Sequence, residues 1–439
     1  MPILTAAESG HARRSSARRG WTVVASAFVI MFVMLGTAYS FTAFFAPLQQ
    51  AFGASRGDVS LAFSINVPLF YLIGAISGPL ADKFGARAVC LFGVTVGASG
   101  LFFAAVATAL WQIYLGFGLA LGVGIGFAFV PSLGAVQRWF VLRRGLASGI
   151  AVSGIGFGTL LLPILAAALI DWVDWRGTWL VFGVVILAAG GAASFFISNS
   201  PEKHGALPDG GVVGLEQKVN AGPAIGVSLR EAITSRPFIL LYLSLVVTWI
   251  GVSIQFVHLV PYAEDHGLSH GAAVTIFGLV GIGSIAGRFM LGGAADRISR
   301  RRLLAMLFGG MVLTQLWLLV AVSAWQLSIF AFVFGCCYGG VVALSPAITV
   351  DYFGGRNASG IIGVLYTGAA FGSFFGPKLA GDAFDKFGSY TMPIAIGAAC
   401  ACVAVVFVMS ASEPPLKLKT RVCQPPVGRF PRAPSPSDL

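Results

Sequence analysis

Long runs of apolar residues, separated by short polar breaks, fill the chain from Trp21 to Ser410. A helix needs about 20 apolar residues to cross a bilayer, and dividing the runs at glycine, proline and charged breaks predicts about twelve such helices. The predicted helices cover residues 21–48, 58–80, 87–108, 111–137, 145–170, 177–198, 236–260, 271–294, 302–321, 325–350, 357–380 and 390–411. The pattern predicts an all-α polytopic membrane protein with no stretch long enough for a soluble catalytic domain.

The longest polar break falls midway among the predicted helices and divides them into two groups of six. The resulting segments are a basic tail at 1–20, a six-helix half at 21–198, a linker at 199–235, a six-helix half at 236–411 and a second tail at 412–439. Composition agrees with this reading, because only 10% of the residues are charged, against about 25% in ordinary soluble chains.

The positive charge reports on topology. A net charge of +11 can indicate a nucleic-acid partner, but the lysines and arginines lie in alternate loops, and only Arg56, Arg176 and Lys386 fall in loops of the other side. Cytoplasmic loops of membrane proteins are enriched in these residues. The bias predicts that both termini and the linker are cytoplasmic, and no nucleic-acid partner is expected.

The two predicted halves repeat each other in sequence. Gly78 and Asp82 in "GPLADKFGAR" align with Gly292 and Asp296 in "GGAADRISRR", an offset of 214 residues (296 − 82). The pair Trp111-Gln112 recurs as Trp325-Gln326, and Phe157, Gly158, Pro163 and Asp171 recur as Phe371, Gly372, Pro377 and Asp385, all at the same offset. Duplicated six-helix units rock against each other around a site at mid-membrane in secondary transporters.

These residues carry a resemblance to a known family. Residues 78–87 and their degenerate second copy resemble the loop motif of the major facilitator superfamily, while residues 41–64, 137–151 and 258–269 are similar to its bacterial branch of monocarboxylate transporters and oxalate/formate antiporter-like proteins. The resemblance implies alternating access with a gate on the cytoplasmic side. The gate residues that it implies are Asp82, Lys83, Arg87, Asp296 and Arg297.

Arg288 is the charge that most needs an explanation, because the residues from Ala272 to Gly287 carry none. A cation inside a span is costly and usually functional, although an arginine head can also reach the interface along its stem. Ser284 and Gly281 share its helical face and predict open volume in front of the guanidinium. A planar fork of donors suits a carboxylate, and the branch typically binds its substrate carboxylate through an arginine on the eighth helix.

A polar stripe on the seventh predicted helix completes the predicted pocket. Ser244, Thr248, Gly251, Gln255 and His258 are spaced by 4, 3, 4 and 3 residues, which keeps them on one helix face. Gln255 and His258 are therefore candidate substrate ligands, with His258 equally readable as a structural hydrogen-bonding group. The remaining candidates, each also readable as a packing residue, are Tyr39, Asn66, Tyr71, Tyr338 and Tyr366.

Lys378 is the other charge within a predicted span. Its distance along the helix from Asn357 places it at the outer surface, where Asp382, four residues on, can pair with it. We interpret it as a gate or interface residue. Oxalate-type antiporters carry a deeper lysine just after a Tyr-Thr pair, and here Tyr366-Thr367 is followed by Gly368. One deep cation favours a monocarboxylate over a dicarboxylate.

No acidic residue falls in the middle of a predicted span, so the usual buried-carboxylate proton relay is not expected. The candidates for proton coupling are Asp265, Glu264 and His258 at the outer mouth, which can equally form a solvated turn. Exchange of one anion for another would need no relay.

The sequence predicts a transporter, not an enzyme, since no catalytic constellation accompanies the spans. We expect a bacterial inner-membrane carrier of small monocarboxylates resembling lactate or pyruvate, coupled to a proton. No metal or cofactor is predicted; the expected partners are the anion, a proton and the bilayer, and a monomer is the expected state. The alternatives are an anion exchanger of the oxalate/formate type, a carrier of a non-carboxylate solute, and a sensor that binds without transport.

Overall fold

The computed structural model describes residues 6–140, 144–199, 201, 227–294, 298–354 and 358–412, and every regular element among them is helical. The α-helices are α1 Ala6–Tyr39, α2 Phe41–Phe52, α3 Arg56–Phe84, α4 Ala86–Ala105, α5 Leu110–Ile113, α6 Gly122–Trp139, α7 Arg144–Val185, α8 Gly191–Phe196, α9 Leu229–Ile233, α10 Arg236–Asp265, α11 His270–Ala294, α12 Arg300–Leu318, α13 Ala324–Phe353, α14 Ala358–Phe387 and α15 Thr391–Ser410. Two π-helical segments, Tyr114–Leu121 and Ile186–Gly190, join α5 to α6 and α7 to α8.

Ten stretches of described residues are long and apolar enough to cross a membrane. Each of the twelve predicted helices has a counterpart, because the stretch Leu146–Phe196 contains two of them and α12 matches the predicted helix 302–321. The long stretch is broken by non-helical backbone at Val173 and Asp174. The prediction of an all-α polytopic membrane protein is therefore confirmed.

Two predicted helix ends are corrected. The sequence predicts that the seventh helix ends at residue 260, yet α10 continues through Pro261 to Asp265. The predicted helix 357–380 likewise continues, as α14, to Phe387. Proline removes one backbone donor and crowds the carbonyl group of the preceding turn, but membrane helices tolerate it where neighbouring elements support the backbone. The extra turns bring acidic residues of both helices to the end of the bundle.

The connections between helices gather at two opposite ends of the bundle. At one end Arg56 binds Asp265, and the Arg176 guanidinium donates to the carbonyl oxygen of Ala107 at 3.0 Å. We call this end the Arg56 face; it comprises the connections 53–55, 106–109, 173–174, 266–269, 319–323 and 388–390. At the other end, called the opposite face, Trp139 Nε1 donates to Ser198 O.

The sequence repeat has a counterpart in the hydrogen bonds. The Gln112 side-chain oxygen accepts the backbone N–H of Ala109 at 3.0 Å, and the Gln326 oxygen accepts that of Ser323 at 3.0 Å. Both pairs differ by the predicted offset of 214 (326 − 112 and 323 − 109). Equivalent side chains thus cap equivalent helix starts on the Arg56 face.

Close helix contacts recur at the same offset. Gly158 of α7 packs on the backbone of Phe32 in α1, and Gly372 of α14 packs on the backbone of Val246 in α10. Small residues at such crossings let helices approach closely, which is how membrane helices associate. The first six and last six predicted helices are therefore built on one packing scheme.

Candidate functional site

Arg288 of α11 reaches across to the other group of six helices. Its side chain is half-buried, and Nη1 donates to the carbonyl oxygen of Val152 in α7 at 2.9 Å. The residue lies six positions before the end of α11, or about 9 Å along the helix axis. The arginine therefore joins the two groups of helices well inside the bundle.

The rest of the guanidinium is unpaired. Nε and Nη2 are buried and have no hydrogen-bond partner among the described residues. These two nitrogens present parallel N–H groups along one edge of the guanidinium plane. This arrangement can donate one hydrogen bond to each oxygen of a carboxylate. Leaving buried charged donors unpaired costs free energy, so this edge is a ready site for an anion.

Four tyrosines surround the arginine: Tyr39, Tyr71, Tyr338 and Tyr366 all lie close enough to interact with its charge. They come from α1, α3, α13 and α14, so both groups of helices contribute. The described residues that interact electrostatically with Arg288 are these four neutral phenol groups. No acidic residue is among them.

The aromatic rings of this cluster form a continuous chain. Tyr366 stacks on Tyr71 with ring centroids 5.8 Å apart, Tyr71 contacts Trp249 at 5.6 Å, and Trp249 contacts Tyr338 at 5.7 Å. A ring chain of this kind supplies apolar faces with polar hydroxyl tips. It can enclose a small organic body whose charged end is held elsewhere.

The predicted open volume beside Arg288 is corrected by the structure. Gly281 does not face a cavity, because a side chain there would meet the backbone of Gly156 and Leu160 in α7. Ser284 packs through its backbone on Gly339 of α13, although its hydroxyl is buried and unpaired. The small residues bring α7, α11 and α13 together and so fix the position of Arg288.

Two predicted ligands are directed elsewhere. The Gln255 amide donates to Gln315 Oε1 at 3.0 Å, which ties α10 to α12. The Asn66 amide nitrogen donates to Phe117 O at 2.8 Å, and only its side-chain oxygen is buried and unpaired. A helical stripe identifies a common face but not the neighbour of each side chain, and here both amide nitrogens donate to residues of neighbouring helices.

The Gln255 pair makes a testable prediction. Gln255→Leu is expected to lower the free energy of unfolding by about 1–3 kcal/mol, because the buried Gln315 amide is left unpaired. The double variant Gln255→Leu/Gln315→Leu should recover much of that loss, since both partners become apolar. Thermal unfolding in detergent measures both effects, and a substrate KM that rises in the single variant while stability is unchanged would return Gln255 to the binding site.

The described ion pairs between the two groups of helices lie at the Arg56 face. Arg56 forms a two-point ion pair with Asp265 at 2.6 and 2.7 Å, donates to the Tyr390 hydroxyl at 2.7 Å and lies 3.9 Å from the Phe384 ring centroid. The Asp385 carboxylate accepts the backbone N–H groups of Arg56 and Gly57 at 3.0 and 2.9 Å. We call this set of contacts the Arg56 lock.

The predicted outer charges all lie at or beside this lock. Asp265 is the acceptor of the ion pair, Glu264 binds the His270 ring at 2.5 Å, and His258 contacts Tyr390. His258 is thus placed with the lock and not with Arg288. The proposed solvated turn at Glu264 and Asp265 is instead the last turn of α10.

Lys378 also lies at the Arg56 face. Its ammonium group binds Asp382 at 2.6 Å, as the spacing of four residues predicts, and approaches Asp58 of α3 at 3.5 Å. All three side chains are partly exposed, so the contribution of these pairs to stability is small. Their position between α3 and α14 is that of an interface between the two groups of helices.

The predicted gate of the opposite face is described only in part. Lys83 and Arg87 are exposed, and no ion pair joins either one to another described residue. The side chain of Asp82 and the residues Asp296 and Arg297 lie outside the described part of the chain.

Sequence reasoning missed two groups of polar residues. The sequence does not predict the contacts of Arg56 and Tyr390, because the partners of Arg56 are 209 and 334 residues away in the chain. Asn199 is predicted only as the start of the linker. Its side-chain oxygen accepts the backbone N–H of Ala86, and its amide nitrogen donates to Ala81 O at 3.0 Å, so it joins α3 to α4. A charge at a helix start on the same side as unpaired acids is the signal that could have identified Arg56.

The helical bundle and its membrane-length spans define a multi-pass membrane protein, in which the half-buried Arg288 lies between the first six and the last six predicted helices. The family model described as Major Facilitator Superfamily matches residues 27–377 and 241–434. The chain belongs to the Major Facilitator Superfamily, and it is a transporter rather than an enzyme.

Curated relatives narrow the similarity. Monocarboxylate transporter 12-B of Danio rerio is 29% identical over 394 residues, which cover 85% of this chain and 82% of that protein. Human monocarboxylate transporter 11 is 28% identical over 383 residues, covering 85% and 78%. Monocarboxylate transporter 3 of Rattus norvegicus is 28% identical over 398 residues, covering 89% and 79%. The similarity extends over nearly the whole helical region.

Proposed function

We propose that this chain carries small organic monocarboxylates across the membrane together with a proton, by alternating exposure of a central site. The observation that carries the proposal is the unpaired Nε and Nη2 edge of Arg288. The names of the similar monocarboxylate transporters support the same substrate class. The edge would hold the substrate carboxylate, with Tyr39, Tyr338 and Tyr366 around the organic body.

The charges near Arg288 favour a single carboxylate. A dicarboxylate needs a second cation, but Lys378 is already bound to Asp382 at the Arg56 face. A zwitterionic amino acid needs an acid for its ammonium group, and the described groups that act on Arg288 are phenols. The arrangement is therefore suited to an anion whose remaining atoms are uncharged.

Alternating access would use the two places where the groups of helices meet. The contacts of the closed Arg56 lock would shut the site from the Arg56 face. Bound carboxylate would neutralise the Arg288 charge and remove the cost of its unpaired donors. The loaded carrier would move in preference to the empty one where this gain is larger with the site closed on both sides than with it open, because a ligand shifts an equilibrium only by its differential affinity for the two states.

The orientation follows from the charge bias of the loops. We assign the Arg56 face to the outside and both termini to the cytoplasm, because the only lysines and arginines described at that face are Arg56, Arg176, Lys378 and Lys386. The bacterial inner membrane is the proposed location, on the resemblance of residues 41–64, 137–151 and 258–269 to the bacterial branch.

Uptake into proteoliposomes tests this function. Purified protein is reconstituted, and labelled lactate, pyruvate, oxalate and alanine are supplied with and without an inward proton gradient, with protein-free liposomes as the control. We expect the gradient to stimulate uptake of lactate or pyruvate. We expect no uptake of oxalate or alanine. Uptake that requires an anion preloaded in the liposomes and does not depend on the proton gradient would identify an exchanger. If no carboxylate enters, the proposal is wrong.

A further inference from the structure

His258 is buried beside the Arg56 lock, and its ring has polar and aromatic neighbours. Nδ1 lies 3.0 Å from the Tyr390 hydroxyl, and Nε2 lies 2.9 Å from Pro377 O and 3.1 Å from Ser60 Oγ. The Phe45 ring of α2 packs against it at 5.4 Å. The imidazole thus touches α2, α3, α14 and the residue that precedes α15.

These contacts assign the protons of the ring. Pro377 O can only accept, so Nε2 carries a proton and donates it. Tyr390 Oη accepts an N–H from Arg56 at 2.7 Å, so its own O–H is free to be donated to Nδ1. Nδ1 is then an acceptor without a proton. The closed lock therefore contains a neutral imidazole.

Protonation of Nδ1 would reverse one of these bonds. Tyr390 Oη would then face two cationic donors, Arg56 and the imidazolium, and its O–H would have to turn away. The charges that act on His258 are Arg56 on α3 and Asp385 on α14. Asp265 already binds the Arg56 guanidinium, and Asp385 already binds two backbone N–H groups. The closed lock has no free acid among its described residues to neutralise an added proton.

The lock is also reachable from outside the bundle. A cavity of about 380 Å³ at the Arg56 face is lined by Asp265 and Tyr390, together with Tyr262, His266, Ser389 and Thr391. Tyr390 links this cavity to the buried imidazole. Burial raises the pKa of the Tyr390 phenol above its ordinary value, so the hydroxyl keeps its proton and can act as a relay.

We infer that His258 is the proton-binding residue that controls the Arg56 face: the lock closes over neutral imidazole and opens when Nδ1 takes a proton. The role of this proton as the coupling ion rests on the proposed function. The opening itself does not, because it requires no substrate. His258 acts on the site through the lock and is a positioning residue, not a substrate ligand.

The proton transfer balances through the tyrosine. A hydronium ion in the cavity gives a proton to Tyr390 Oη as the O–H of Tyr390 passes its own proton to His258 Nδ1. The products are water, an unchanged phenol and an imidazolium. Repulsion between the imidazolium and Arg56 then weakens the contacts that hold α3 against α10 and α14. Closure requires that the proton leave.

Distance measurements on ligand-free protein test the inference. Spin labels are placed at Ala51→Cys and Ala272→Cys in a background without the native cysteines. Both positions are exposed at the Arg56 face, one in each group of helices, so the distance between the labels reports the opening of that face. Lowering the pH from about 8 to about 5, the range in which histidine titrates, should increase the long-distance population in wild type. His258→Gln keeps a donor for Pro377 and an acceptor for Tyr390 but takes no proton, so its distances should not depend on pH.

His266→Gln is the matched control, since His266 lines the same cavity but its ring Nδ1 lies 2.7 Å from the Tyr262 carbonyl oxygen and its ring packs on that of Tyr262 at 4.3 Å. It should respond to pH as wild type does. The inference is wrong if the label distances of wild type do not depend on pH, or if those of His258→Gln change with pH as much as those of wild type.

Transport gives a second test of the same lock. A lock that takes no proton stays closed, so His258→Gln should lose both accumulation driven by a proton gradient and exchange of labelled for unlabelled lactate at equal pH, while His266→Gln keeps both. Accumulation like that of wild type would exclude His258 as the coupling residue. If wild type moves no carboxylate, the proposed function fails while the distance measurement still decides the role of His258 in opening.

Discussion

Arg288→Gln is expected to reduce monocarboxylate uptake about 30-fold or more. Removing one partner of a buried, hydrogen-bonded charge pair costs about 2–5 kcal/mol, and each 1.4 kcal/mol is about a factor of ten. Glutamine keeps one donor but loses the charge and the two parallel N–H groups. The measurement is the initial rate of labelled lactate uptake into proteoliposomes, normalised to the amount of reconstituted protein.

Arg288→Lys refines this prediction. Lysine keeps the charge as a point donor without the planar fork, so its uptake should lie between those of wild type and Arg288→Gln. Arg176→Gln is the matched control, because the Arg176 guanidinium also donates to a backbone carbonyl oxygen, that of Ala107, but within the first group of helices at the Arg56 face. It should transport normally. Uptake by Arg288→Gln equal to that of wild type would remove the carboxylate assignment and leave the family membership intact.

Gly381→Ala is expected to hold the Arg56 face open and to reduce transport. A methyl group at Gly381 would lie 2.6 Å from Gly57 Cα and 2.7 Å from the Arg56 carbonyl carbon, closer than atoms pack. Overpacking costs about 1–3 kcal/mol, and it would act only when α3 and α14 are in contact. An equilibrium shifts about 5- to 150-fold for such a cost.

The same spin-label pair, Ala51→Cys and Ala272→Cys, measures this shift, which should appear at every pH. Gly363→Ala is the control on the same helix, because nothing lies within 4 Å of the added methyl group. A Gly381→Ala protein with the distances and uptake of wild type would show that the helices separate elsewhere.

The helices were predictable because bilayer thickness sets the length of an apolar run, and each predicted helix has a counterpart. Arg288 was predictable for a related reason, since a charge in an apolar run is costly and therefore notable. The pair of Lys378 and Asp382 followed from local spacing alone. Each of these inferences needs only residues that are close in the chain.

The remaining contacts depend on how distant helices meet. His258 and Gln255 share one helix face, yet His258 binds Tyr390 at the Arg56 face and Gln255 binds Gln315 on α12. Gly281 is compatible with a cavity or with a helix crossing, and only the position of α7 decides between them. Tertiary neighbours therefore fixed the roles that sequence periodicity left open.

The contact of Asp385 with α3 differs in kind from the other contacts of the lock. Its carboxylate binds two peptide N–H groups, at Arg56 and Gly57, and not their side chains. Every amino acid except proline supplies such a group. Substitutions on α3 can therefore remove the ion pair while this contact persists, whereas a change at Asp385 removes it outright. The mutational tolerance of the two sides of the interface is unequal, and selection on this contact would act mainly on the acid.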